Sequence, residues 1–125
     1  MATTFDLVTI DTPSPDALSR FWSAALDLRE SEREDGGRWI VVSDVLGVRR
    51  LGFQRGPHRP GGTHLDLTCG VDEFADELAR LQSLGARLVH EPRSEPYGSI
   101  ANLVDPDGNA FDLCAYLPGI SDSGR

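Results

Sequence analysis

An α+β fold built from two tandem βαβββ units follows from three features of the 125-residue chain. The same order of strand and helix patterns occurs twice. A run of breakers, Gly56-Pro57-His58-Arg59-Pro60-Gly61-Gly62, separates the two occurrences. Each half joins one segment of helical period to several of strand period, the pattern of a curved mixed sheet with a helix on one face. The length corresponds to about one domain on a scale of roughly 100–200 residues each, and it suffices for a core without disulfide or metal staples. The domain is expected over residues 1–118, with unit one at 1–58, unit two at 62–118 and a frayed tail at 119–125.

In the first unit, Phe5 to Asp11 reads as the opening strand. Ser14-Pro15 then offers an N-cap and a proline at the first helical position, and Leu18, Phe21, Trp22 and Ala25 recur at helical spacing up to about Leu26. Strands are predicted near Leu28–Arg33 and Arg38–Val42, joined through the hairpin residues Asp35-Gly36-Gly37, and near Val48–Arg55. In the second unit, His64-Leu65-Asp66-Leu67-Thr68 alternates strictly and reads as a strand. A helix from about Asp72 to Leu84 carries Phe74, Leu78 and Leu81 on one face and stops at Gly85. Strands follow near Arg87–His90, Ser99–Val104 and Ala110–Tyr116. The last two are linked by Asp105-Pro106-Asp107-Gly108-Asn109, a hairpin turn that lacks the spacing of an EF-hand.

Composition narrows the function. The formal net charge is −8, which repels phosphate backbones and anionic lipid and argues against nucleic-acid and membrane partners. No apolar run approaches the roughly 18 residues of a membrane span, and Met1-Ala2-Thr3-Thr4-Phe5 lacks the character of a signal peptide, so the chain reads as cytosolic. Cys69 and Cys114 form no disulfide framework or zinc cluster and read as free, half-buried thiols. There is no lysine, which excludes Schiff-base chemistry from the chain itself, and no Ser/His/Asp arrangement for a nucleophile is evident.

Strand parity sorts the polar residues. Leu65 and Leu67 should face the helix, leaving His64, Asp66 and Thr68 on the concave side; Phe111 and Leu113 pack inward, leaving Ala110, Asp112 and Cys114 opposite. The same reasoning sets Val8 and Ile10 against the first helix and Leu7, Thr9 and Asp11 in the cleft. One unit leaves its concave face open, so two units, within a chain or across a homodimer, would enclose a cleft of the kind in which ligands bind. His64 with Asp112 suits a divalent metal; the plainer reading is a His–Asp hydrogen bond, with Asp66 or Asp11, that fixes a polar cleft floor. Asp11, Asp66 and Asp112 suit acid–base work; the plainer reading is a set of solvated acidic residues in an acidic protein. Trp39 with Phe53 offers a flat apolar wall.

Three stretches carry a family resemblance. They are Asp11-Thr12-Pro13-Ser14-Pro15-Asp16-Ala17-Leu18-Ser19-Arg20-Phe21-Trp22 with Ala25-Leu26-Asp27-Leu28; His64-Leu65-Asp66-Leu67 leading to Leu84-Gly85-Ala86; and Asp105-Pro106-Asp107-Gly108-Asn109-Ala110-Phe111-Asp112-Leu113. In their order and spacing the chain resembles the vicinal oxygen chelate (glyoxalase/bleomycin resistance/dioxygenase) superfamily, in particular the small glyoxalase-like domain proteins of actinobacteria. Asp27 stands where that family usually has glycine. The resemblance implies four metal-ligand positions. They fall on about Leu7, on Gln54 in the strand Arg50–Arg55, on His64, and on Asp112, where glutamate is more frequent. Leu7 cannot coordinate and Asp112 is a methylene short, so a complete metal site is not expected and no cofactor is required. The expectation is a small-molecule-binding protein, homodimeric, with Trp39, Phe53, Gln54, His64, Asp66 and Asp112 lining the pocket. The alternatives are a metal-dependent lyase, isomerase or dioxygenase with His64 and Asp112 on a divalent metal, and a metal-free enzyme using the carboxylates.

Overall fold

The computed structural model describes residues 5–61 and 64–118. The chain divides into two compact units, Met1–Arg59 and Pro60–Arg125. The tail expected to fray, 119–125, lies outside the described residues. No helix among the described residues is long and apolar enough to cross a membrane.

The first unit runs β1 (Val8–Thr12), α1 (Pro15–Leu26), β2 (Arg29–Glu34), β3 (Trp39–Ser43) and β4 (Arg49–Arg55). Its sheet has the order β1-β4-β3-β2, with β1 parallel to β4 and the other pairs antiparallel. Pro15 opens α1, but Ser14 makes no side-chain cap; its own N–H donates to Thr12 Oγ1 at 3.0 Å while its carbonyl accepts from Leu18. The opening strand starts at Val8 rather than Phe5. Between β2 and β3 the chain turns through a short 3-10 segment, Asp35–Gly37, in which all three residues have positive φ.

Leu18, Phe21, Trp22 and Ala25 of α1 are buried with Ile40, Val42, Leu51 and Phe53 of the sheet. The Phe21 and Trp22 rings meet edge to face at 5.1 Å, so this pair belongs to the core. Register shows which face the helix covers. Arg33 pairs with Ile40, Ile40 with Phe53 and Phe53 with Ile10, and Arg33 reaches Asp16 of α1 at 2.6 Å. Val8 has the same parity but is 38% exposed, because β1 is an edge strand beyond the end of the helix contact.

The second unit repeats the plan with β5 (Leu65–Thr68), α2 (Phe74–Ser83), β6 (Arg87–Leu88), β7 (Arg93–Glu95), β8 (Gly98–Val104) and β9 (Ala110–Tyr116). Its order is β5-β9-β8-β6, with β5 parallel to β9, and β7 also pairs with β8. The strand predicted near Arg87–His90 is therefore split: β6 ends at Leu88, and Pro92, lacking an N–H, precedes a second short strand. The predicted helix is also shorter, since Val71–Glu73 forms a 3-10 turn ahead of α2. Leu78, Leu81, Leu103, Phe111 and Leu113 are buried, and Leu65 and Leu67 are half-buried beside exposed Asp66 and Thr68. These are α+β units with open, mixed, curved sheets.

Candidate functional site

Pairing in the second sheet sets three polar side chains on one rung. Asp66 of β5 is opposite Asp112 of β9, and Asp112 is opposite Asn102 of β8. Paired residues share a face and adjacent strands lie about 4.8 Å apart, so the three side chains stand side by side. Their sequence neighbours carry the opposite parity: Ala101, Leu103, Phe111 and Leu113 are buried in the core, and Leu65 and Leu67 are half-buried. His64, the residue before β5, turns its Nε2 to both carboxylates, 3.5 Å from Asp66 Oδ1 and 3.7 Å from Asp112 Oδ2. Asp112 is the least exposed member, with its side chain 14% exposed; His64 and Asp66 are about half exposed.

The row continues beyond the triad. Asn102 Nδ2 donates to Asp112 Oδ1 at 2.7 Å, and Asn102 Oδ1 accepts from Arg93 Nη1 at 2.7 Å. Arg93 also donates through Nε to Glu95 Oε1 at 3.2 Å, and its Nη1 lies 3.2 Å from His90 Nδ1. The structure brings His64, Asp66 and Asp112 of the expected site together and sets Asn102 and Arg93, which the strand patterns did not single out, beside them. The signal for Asn102 was present, an amide between buried Ala101 and Leu103 in an alternating strand. Arg93 had none, because the short strand that carries it was not foreseen.

The residues of the first unit sort differently. Trp39 and Gln54 are direct cross-strand partners on the face away from α1, and Asp11 pairs with Gln54 on its other side. The Trp39 indole lies over Gly52, where an added Cβ would stand 2.4 Å from Cη2. Phe53 does not belong with them. It has the opposite parity to Gln54, is fully buried and packs on the helix side, so the predicted Trp39–Phe53 wall is corrected to Trp39 over Gly52. Likewise Cys114 shares a strand face with Asp112 but is fully buried. Cys69 is half-buried, and burial, with Glu77 and Glu73 nearby, pushes its thiol up, which disfavours the thiolate a nucleophile needs. A groove of about 530 Å³ between α1 and β2, lined by Ser19, Arg20, Ser23 and Asp27 among others, contains none of the predicted site residues.

One imidazole and two carboxylates form a donor set suited to zinc, manganese, iron or nickel. Their donor atoms lie within 4.8 Å of one another. Ligands about 2.1 Å from a shared tetrahedral ion stand about 3.4 Å apart, so side-chain movement of about 1–1.5 Å closes the set. The residues therefore fit a divalent cation, without Leu7 and entirely within the second unit.

Comparison with known proteins agrees with this architecture. The family described as "Glyoxalase-like domain" matches residues 7–114. No curated protein matches the chain. Among solved structures, a glyoxalase/bleomycin resistance protein/dioxygenase family enzyme from Burkholderia phytofirmans superposes with a TM-score of 0.75 at 19% identity, over 90% of this chain and 98% of that one. A glyoxalase-related enzyme from Fulvimarina pelagi gives 0.74 at 20% identity, over 98% and 96%. A mutant of the fosfomycin resistance protein FosX from Listeria monocytogenes, complexed with Mn(II) and 1S,2S-dihydroxypropylphosphonic acid, gives 0.75 at 16% identity, over 94% of each chain.

Proposed function

We propose, from the premise that the chain belongs to the glyoxalase-like domain family, that it binds a small molecule on the face of its second sheet that carries His64, Asp66 and Asp112. The observation that carries this reading is the rung Asp66–Asp112–Asn102 with His64 across both carboxylates. Two carboxylates directly opposed on neighbouring strands repel each other, and the side chain of Asp112, 14% exposed, is largely withdrawn from water. A ligand that is cationic, or rich in hydrogen-bond donors, relieves both. Trp39 and Gln54 give the first unit a second patch of suitable chemistry, a half-buried indole beside an amide. Among the described residues Cys69 and Cys114 form no disulfide, which fits a protein of the reducing cytosol. A second copy of the chain is the macromolecular partner we infer.

Thermal shifts against a panel of metabolites and metals test the reading. His64→Ala and Asp112→Ala should fold and should lose any ligand-induced shift. If a ligand is found and both variants keep its affinity, the site is elsewhere; if both unfold, the triad is structural.

The second reading is a metal-dependent lyase, isomerase or dioxygenase, and the compact N,O,O donor set favours it. The FosX neighbour was solved with Mn(II). A bound divalent cation would supply Lewis-acid polarisation of a substrate oxygen. This chain's residues would do the holding: His64 through Nε2, Asp66 and Asp112 through one oxygen each. Elemental analysis of purified protein decides between the readings. One equivalent of metal, lost on His64→Ala, establishes the second; substoichiometric metal with an intact ligand-induced shift leaves the first.

A further inference from the structure

We propose that Arg93, acting through Asn102, is a positioning residue for Asp112: together they hold Asp112 Oδ1 and leave Oδ2 turned to His64 and Asp66. The proposal rests on reading that triad as the binding site, and it assigns how the triad's least exposed carboxylate is set.

Asn102 has a donor end and an acceptor end of almost the same shape, so its partners decide which way it points. A guanidinium can only donate. With Arg93 Nη1 at 2.7 Å, the end facing Arg93 is the carbonyl, and the end facing Asp112 is the NH2, also at 2.7 Å. Turned the other way, Asn102 would set its carbonyl oxygen against Asp112 Oδ1 and repel it. Arg93 thus fixes the sign of a contact it does not itself make.

Strand geometry explains why Arg93 reaches that place. It pairs with Ile100, two residues from Asn102 on the same face of β8, and its long side chain covers the diagonal. Glu95, on the same short strand, holds the guanidinium through Nε. Asp112 needs such support more than its neighbours, because its side chain is 14% exposed and little water reaches it, whereas His64 and Asp66 are about half exposed. With Oδ1 engaged, the carboxylate cannot rotate away from Asp66, and Oδ2 stays 3.7 Å from His64 Nε2. Outer partners of this kind commonly change the affinity of a site about 10- to 100-fold.

The test has two readouts on wild type, Arg93→Gln and Arg93→Lys. The side-chain NH2 protons of Asn102, followed by 15N-correlated NMR, report the bracket without any added ligand. Mn²⁺ alone, titrated and followed through the electron spin resonance of the free ion, reports the triad. Arg93 is exposed on a short strand, so both variants should keep the wild-type circular dichroism and melting temperature. We expect Asn102 NH2 protons that exchange slowly in wild type and fast in Arg93→Gln, Mn²⁺ binding weakened about tenfold in Arg93→Gln, and most of both effects recovered in Arg93→Lys. Unchanged exchange at Asn102 in Arg93→Gln overturns the proposal, as does Mn²⁺ affinity equal to wild type. If wild type binds no Mn²⁺ but the Asn102 protons respond as expected, the positioning role stands and the cation reading of the triad fails.

Discussion

Two aspartates on neighbouring segments of the same strand pair have opposite fates, and their partners explain why. Asp105 is fully buried, and its oxygens accept from the N–H groups of Asp107 and Asn109 and from Asn109 Nδ2, so it is consumed by its own turn. Asp112 gives one oxygen to Asn102 and presents the other to His64. Asp105→Ala should therefore destabilise the chain by about 2–3 kcal/mol, since it strands several donors in the turn, and urea denaturation measures that loss. Asp66→Asn should act in the other direction. It removes a like-charge opposition to Asp112 across β5 and β9, so stability at pH 8 should rise by about 0.5–1 kcal/mol while affinity for a cationic probe falls. A gain in stability paired with a loss of binding is the behaviour of a site, and a loss of stability would mark the pair as structural.

At the scale of elements, α1 shows how a local conflict is managed. The helix ends at Asp27 in the left-handed region, φ 54, with the cap N–H on Ser23 O. Glycine is the residue most at ease there, so Asp27→Gly should raise the urea midpoint, by a stability gain of about 0.5–1 kcal/mol. The same helix is tied to β2 through Arg33, which bonds Asp16 and Glu30. Those bonds hold both carboxyls below the usual carboxylate range. A carboxyl depressed in the folded state stabilises it above the unfolded value and loses that contribution as pH falls through the folded one. The urea midpoints of wild type and Arg33→Gln should thus differ at neutral pH and converge as pH drops below about 4. Both units were legible in the sequence because their strands alternate and their helices keep a 3.6-residue stripe, and His64, Asp66 and Asp112 were legible for the same reason. What period alone could not supply was register. Which of the neighbours Phe53 and Gln54 faces the helix follows from their pairing with Ile40 and Trp39, and β7 is too short, with Pro92 before it, to leave a pattern. Arg93 was hidden with it.

The whole molecule carries −8 and also an apolar edge, and the two together make a prediction about its assembly. Because β1 runs parallel to β4, the segments leading into them lie together, and Arg49 links them through Asp6 at 3.4 Å. Phe5 and Val8 lead into and begin β1, and Val45, Leu46 and Val48 precede β4; all are exposed, Leu46 at 86%. Several large apolar side chains exposed at one end of a sheet mark a place where another protein surface is buried. The homodimer we infer would use it, because a two-fold partner offers the same patch in return. Two copies of equal charge repel, however, and that repulsion is screened beyond about 10 Å at 0.1 M salt and beyond less at higher salt. Association should therefore strengthen with ionic strength: light scattering at micromolar concentration should give a dimer mass at about 0.3 M NaCl and a growing monomer fraction at about 0.02 M. Leu46→Asp should be monomeric at both. A wild-type monomer at every salt concentration would remove the homodimer, and a dimer that weakens as salt rises would place its interface on opposite charges rather than on this apolar edge.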